Sequence, residues 1–241
     1  MSIGVLLSVP AQCDTLSSLA SKTCRERDLE PNVQKDTMSL AYRILYGIGV
    51  TPWERMAKLP IADQGADFFA REEQGREAPY GPVLDLGCGS GIWAVKLAQR
   101  GWDVTGVDFI PKALRRARER ARDAGVEVRF VQGDVTKLAE VGVGSGFPFM
   151  FDFGLFHDEL TDEQREAMGR EVTGVAAPAA TLLMTAMAPG RRGPLPRGAS
   201  RGDIEAAYPA WTLTDDVPAD VSGAPGWMRK ADLRFYRLRH E

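Results

Sequence analysis

The chain has 241 residues, 44% hydrophobic and 26% charged, with a formal net charge of −3. That length supports one α/β domain with a sizeable core, and the composition excludes a disordered or membrane-embedded protein. The acidic balance gives no support to nucleic-acid binding, and no apolar run approaches the ~18 residues of a membrane span.

Cys13, Cys24 and Cys88 form neither a disulfide framework nor a metal-ligand spacing. No metal is therefore expected, and the expected compartment is the reducing cytoplasm. The opening residues MSIGVLLSVPAQC lack the basic start of a signal peptide. Residues 1–37 carry no motif and read as a flexible N-terminal extension. From Met38 a helical pattern begins, with Leu40, Ile44, Leu45 and Ile48 recurring at three- and four-residue steps. Pro52 and Trp53 break it, and a second helix is expected over 61–74. Residues 38–241 then read as a single domain, with 38–78 as a helical cap.

The stretch from Gly81 to Gly101 organises the rest. Val83, Leu84 and Leu86 read as a buried strand, Gly87, Gly89 and Gly91 as a turn, and Ile92 onward as a helix. Strand, glycine turn and helix bring bare backbone to a ligand at a helix N-terminus. The spacing is G-x-G-x-G and not the dinucleotide G-x-G-x-x-G, and an acid, Asp85, closes the strand.

A second strand, Asp103–Asp108, ends in an acid 17 residues after Gly91, where ribose hydroxyls are bound in Rossmann-like units. Pro111 suits a helix start. Lys112 to Arg122 holds six basic residues against Glu119 and reads as a solvated face. Glu127–Val131 alternates as a third strand, followed by Gly133-Asp134-Val135. Phe147–Phe153 is the fourth strand, and the run Asp152 to Asp158 leaves its carboxyl end, where open α/β sheets place ligands. Thr161 and Gln164 form a capping box for a helix from Asp162 to Ala176. Ala180–Met187 is the fifth strand, 188–203 a mobile surface loop and Asp203–Tyr208 a short helix. Trp211–Val217 and Asp232–Arg239 close the domain as an antiparallel pair.

Asp85-x-Gly87-x-Gly89-x-Gly91, Asp108 and Gly133-Asp134-Val135, in that order, resemble the first three motifs of the class I S-adenosylmethionine (SAM)-dependent methyltransferases. The resemblance runs from about Leu40 to His240 and is to the small-molecule type, similar to thiopurine and tellurite-resistance methyltransferases. It implies an α/β, Rossmann-like, seven-stranded and mostly parallel sheet, with helices on both faces and the last strand antiparallel. It implies SAM as methyl donor, S-adenosylhomocysteine as product, and O, S or N of a small aromatic or apolar molecule as acceptor. The implied cofactor residues are Asp85, Gly87, Cys88, Gly89, Gly91, Asp108, Phe109 (against adenine), Gly133, Asp134 (to the adenine amino group), Val135, Asp152 (at the methionine end) and Phe153. Trp53 belongs with them as part of a covering segment.

Methyltransferases of nucleic-acid bases carry [N/D]-P-P-[Y/F] after the fourth strand, and DFGLFHD lacks it, so a nucleic-acid partner is not expected. His157, just past that strand, is the expected general base; Asp158 and Asp152 are weaker candidates. Phe153, Phe156 and Trp53 are expected to line an acceptor pocket. The alternatives are a SAM-binding regulator without transfer activity and an aminopropyltransferase. Oligomeric state stays open.

Overall fold

The computed structural model describes residues 42–49, 51–158, 160–190 and 196–241. The expected extension at 1–37, with Cys13 and Cys24, and Leu40 of the first helical pattern lie outside the described residues.

Seven strands form one sheet in the order β3-β2-β1-β4-β5-β7-β6. They are β1 Pro82–Leu86, β2 Asp103–Asp108, β3 Arg129–Gln132, β4 Phe147–Phe153, β5 Ala176–Met187, β6 Trp211–Pro218 and β7 Leu233–His240. β3, β2, β1, β4 and β5 run parallel. β7 lies antiparallel between β5 and β6. The sheet reverses its order between β1 and β4, and ligands of open α/β sheets bind at such a point, beyond the strands' carboxyl ends.

The central strands are apolar on both faces because helices cover both. On one side Leu84, Leu86, Met150, Leu182 and Met184 pack with the helices α6 (Asp162–Val175) and α7 (Arg201–Ala207). On the other, Val83, Phe149, Phe151 and Leu183 pack with α2 (Ile61–Glu73) and α3 (Ile92–Arg100). Aromatic rings tie this second layer, with Phe69 edge-on to Phe151 at 5.1 Å and Trp93 over Phe153 at 4.6 Å. The remaining helices are α1 over 42–48, α4 (Pro111–Asp123), α5 (Leu138–Val141) and α8 (Gly226–Arg229), with a 3-10 helix at Pro52–Lys58. No described helix is long and apolar enough to cross a membrane.

Several boundaries differ from expectation for local reasons. β5 starts at Ala176, four residues early, because the strand survives an irregularity at Pro178 and Ala179, where φ is +54°. A proline in a strand is tolerated at such a bulge. α7 starts at Arg201 because Ser200 and Asp203 cap it reciprocally, a pattern present in the sequence as S-x-x-D. The expected mobile loop is partly tied down. Gly198 N–H donates to His157 O and Ala199 N–H to Met187 O, and Arg165 donates to Gly198 O at 2.6 Å.

The first helix also turns a different face inward. Ile44 and Ile48 are 52% and 67% exposed, while Tyr46 is 2% exposed and Tyr42 packs beside it. The apolar spacing pointed to the isoleucines. Tyr46 is inside because its ring meets Trp53 edge-on and its hydroxyl receives the Trp53 indole N–H.

Candidate active site

Gly87, Gly89 and Gly91 all have positive φ, at +67°, +52° and +75°. Side-chain-bearing residues rarely adopt that conformation. Gly91 is constrained twice, because a Cβ there would lie 2.8 Å from the Ala117 Cβ of α4. The turn is braced by Cys88 N–H to Val107 O and Gly91 N–H to Cys88 O, both 2.9 Å. Cys88 itself is buried, and burial pushes its thiol well above the usual range.

Asp108 closes β2 beside this turn. Its carboxylate accepts from Gly89 N–H at 2.9 Å and from Ile110 N–H at 2.8 Å. Burial raises its pKa to about 6, against those two amides, which lower it. Phe109 follows in a small cluster with Tyr42, Tyr46, Trp53, Ile110 and Ala113. Gly133 N–H donates to Asp108 O, which brings the third motif to the same edge. Asp134 accepts from Thr136 N–H and Oγ1 and caps the next 3-10 turn, and Val135 is in the core.

Asp85 is 2% exposed, and its Oδ2 has no hydrogen-bond partner. Burial first, then Asp152 and Asp108, push its carboxyl well above the carboxylate range. A glycine cradle without Cβ atoms and an unpartnered buried carboxylate oxygen beside it suit a ligand that brings cationic or hydroxylated groups to bare backbone. SAM brings both, so the residues present fit it.

The β4 side is built differently from expectation. Asp152 is wholly buried, and its two oxygens accept from Leu155 N–H at 2.7 Å and Phe156 N–H at 3.0 Å. Burial raises its pKa to about 7, opposed by those amides. Its carboxylate holds its own loop. His157 is 5% exposed, its Nδ1 sits 3.2 Å from Thr185 O, and burial lowers its pKa to about 4. An imidazole so enclosed and so weakly basic is badly placed to meet an acceptor's proton. Phe156 is also fully buried, against Tyr208 and under the Arg165 guanidinium, so the structure places it behind the site and not in a pocket wall. Phe153 stacks on Trp93.

Residues that the motifs left unnoticed complete the geometry. Tyr46 reaches over the glycine turn so closely that a Cβ on Gly89 would lie 2.8 Å from its hydroxyl. Trp53 meets Tyr42 and Tyr46 edge-on at 5.1 and 5.6 Å, and its Nε1 donates to the Tyr46 hydroxyl at 3.4 Å. The basic helix α4 secures α1 from below. Lys112 Nζ donates to Gly47 O at 2.8 Å and Arg116 to Tyr46 O at 3.4 Å, the carbonyl end of α1. Cations stabilise such an end. Arg118 and Arg120 also donate to backbone carbonyls, of Phe130 and Ser90. Much of the basic run is therefore structural. Among the described residues, no cluster of three or more His, Cys, Asp or Glu is arranged to hold a metal ion.

A seven-stranded sheet in this order, with a glycine turn after β1 and an acid ending β2, defines a Rossmann-like methyltransferase fold. A family profile described as a methyltransferase domain matches residues 83–179. Among curated proteins, the chain is 29% identical over 217 residues to the 2-heptyl-1-hydroxyquinolin-4(1H)-one methyltransferase of Mycobacteroides abscessus, covering 86% of this chain and 90% of that one. It is 44% identical over 85 residues to the ubiquinone biosynthesis O-methyltransferase of Bordetella avium, a match that spans about a third of each chain, 35% and 33%. Among solved structures, magnesium protoporphyrin IX methyltransferase from Synechocystis PCC 6803 with bound S-adenosylhomocysteine shares the fold. Its TM-score is 0.64 at 16% identity over 84% of this chain and 99% of that one. The chain is similar to the class I SAM-dependent methyltransferases in fold, motifs and relatives, and it is an enzyme that transfers the methyl group of SAM to a small molecule.

Proposed function

We infer that the acceptor is a small, apolar aromatic molecule and that the methyl group goes to a hydroxyl on it. The observation that carries this is the match along nine-tenths of a relative named for a hydroxylated quinolone with an alkyl tail. The aromatic roof of Tyr42, Tyr46 and Trp53 beside the glycine turn supports it, since flat apolar acceptors pack on such rings.

In this reading Gly87, Cys88, Gly89 and Gly91 offer backbone to the cofactor, Asp108 takes the ribose hydroxyls, and Phe109 with Gly133–Val135 borders the adenine. Asp85 supplies a carboxylate oxygen below the turn. SAM supplies a methyl group on a sulfonium, already a good leaving group, so the protein's main task is to align acceptor and methyl. Asp152 and His157 act indirectly, by fixing the loop after β4. Residues 38–241 work as one domain with 38–78 as its cover, acting in the cytoplasm.

The test has two parts. Calorimetry should show S-adenosylhomocysteine binding at micromolar strength or tighter, and no NAD binding. A panel of hydroxyquinolines, phenols, thiols and amines with labelled SAM should then show turnover on the aromatic hydroxyls. Turnover on amines or thiols alone would overturn the acceptor assignment. Binding without any turnover across the panel would favour the regulator reading.

A further inference from the structure

Arg165, on α6, is the one buried arginine among the described residues, at 3% exposed. Its Nη2 donates to Gly198 O at 2.6 Å, and its Nη1 lies 3.7 Å from Asp203 Oδ2 and 3.8 Å from Asp162 Oδ1. Its guanidinium carbon sits 5.4 Å from the centre of the Phe156 ring. Its buried Nε makes no hydrogen bond. A buried charge with long ion pairs and an unused donor is a poor way to stabilise a helix. What it achieves is geometric. Phe156 belongs to the loop after β4 and Gly198 to the segment after β5, so one side chain touches both.

The same two segments are also joined directly. Gly198 N–H donates to His157 O at 3.0 Å, and Ala199 N–H to Met187 O at 2.8 Å, at the end of β5. Gly198 has φ +84°, and a Cβ there would lie 2.4 Å from Ala188 O, so only glycine fits this path. The loop after β4 in turn reaches the glycine turn, since a Cβ on Gly87 would lie 3.1 Å from Leu155 Cβ and Cδ2. Contacts therefore run without a break from Arg165 through Gly198 and the β4 loop to Gly87.

We propose that Arg165 is a positioning residue for methyl transfer: it seats residues 196–200 across the carboxyl ends of β4 and β5 and so holds the loop after β4, with Leu155, against the glycine turn. β1 and β2 carry the glycine turn and Asp108, which leaves the ends of β4 and β5 to the acceptor. Transfer needs donor and acceptor in line, and a misplacement of about 1 Å can cost on the order of 100-fold in rate. The planar guanidinium fork donates to Gly198 O, faces Asp203 and lies on Phe156 at once, which the single point charge of a lysine cannot do. The proposal rests on the methyl-transfer reaction and not on which atom of the acceptor is methylated.

The experiment uses the full chain and three variants. Arg165→Lys keeps the charge and loses the fork. Gly198→Ala leaves Arg165 in place and drives a Cβ against Ala188 O. Thr173→Ala, also on α6, removes the acceptor of the Trp211 indole N–H and controls for a plain loss of stability. Turnover is measured with labelled SAM on whichever hydroxyquinoline, phenol, thiol or amine the wild type methylates fastest, so failure of the hydroxyl assignment leaves this test standing. In Arg165→Lys, kcat should fall roughly 10- to 100-fold while S-adenosylhomocysteine affinity stays within about threefold. Amide hydrogen exchange at Gly198, Leu155 and Phe156 should quicken together, with no methyl donor present. Gly198→Ala should do the same, and the double variant should fall no further than the worse single one, because both cut one contact. Thr173→Ala should melt lower with kcat unchanged. If Arg165→Lys does not fold, Gly198→Ala and its exchange pattern decide. An unchanged kcat in the folded Arg165 or Gly198 variant overturns the proposal, as does an equal loss of kcat in Thr173→Ala. So does faster exchange at Gly198 with Leu155 and Phe156 still protected, which would make the segment a strut that does not reach the β4 loop.

Discussion

β2 and β4 both end in a buried aspartate, and the two are put to opposite uses. Asp108 reaches across to Gly89 N–H on the turn after β1, so it joins two motifs around the place where a ligand touches backbone. Asp152 reaches only forward, to Leu155 N–H and Phe156 N–H of its own loop. Burial raises both carboxyls, to about 6 and about 7. A strand-end acid therefore does not declare its role by position. The amides it faces decide it: amides from another element make a cradle, and amides from the acid's own loop make a wall.

The comparison breaks cleanly if the two sides respond alike to substitution. The largest effect is expected at Gly91→Ala. The new Cβ meets Ala117 at 2.8 Å in a left-handed backbone, at a cost of about 4 kcal/mol from overpacking and strain. Thermal melting should drop and S-adenosylhomocysteine binding should vanish together. Next is Asp152→Ala, which strands one buried and one part-buried amide and should cost about 3 kcal/mol of stability in a denaturant titration. At a temperature where the variant is folded, its cofactor affinity should stay within a few-fold of wild type. If affinity falls as steeply as stability, Asp152 does touch the cofactor. Asp108→Ala should show the converse: roughly 30-fold weaker S-adenosylhomocysteine binding by calorimetry, with the smaller part of the loss in folding.

A pH series sharpens the contrast within the β4 side. The His157 pKa is lowered from 6.5 to about 4, so its neutral form stabilises the fold above 6.5, and that contribution is lost as pH falls toward 4. The Asp152 carboxyl is raised from 3.8 to about 7, so its contribution is present below 3.8 and is lost as pH rises through 7. Between these limits the two oppose each other. His157→Gln should thus gain on the wild type, on the order of 1 kcal/mol, as chemical denaturation is moved from pH 6.5 to pH 4. A constant difference would mean the imidazole is not held neutral. The smallest effect is expected at Arg116→Ala, about 0.5 kcal/mol, read as faster amide exchange confined to α1.

What was legible in the sequence follows the same division. The turn after β1 could be read because its requirements are local: three glycines at fixed spacing, each at positive φ, and an acid closing each flanking strand. The seven-stranded, mostly parallel sheet with its last strand antiparallel followed from the resemblance and stands. The enclosure of His157 was not legible. It depends on Thr185, 28 residues on in β5, and on the segment that places Gly198 N–H on His157 O. The role of Asp152 did carry a signal, since an aspartate two residues before a glycine often turns back on its own amides. The inward face of α1 was misread because counting apolar residues favoured Ile44 and Ile48. Tyr46 goes inside because its ring meets Trp53 edge-on and its hydroxyl receives the Trp53 indole N–H, a pairing that apolar counting does not see.

The closeness of Tyr46 to Gly89 has a consequence for how this protein and its relatives can vary. With the hydroxyl only 2.8 Å from where a Cβ would stand, residues 46 and 89 constrain each other despite being 43 positions apart. A lineage that places alanine or asparagine at 89 would first need to shorten residue 46, and phenylalanine there is the smallest sufficient step. Across an alignment the two columns should change together, so the roof of the site leaves a record in sequence that neither residue carries alone.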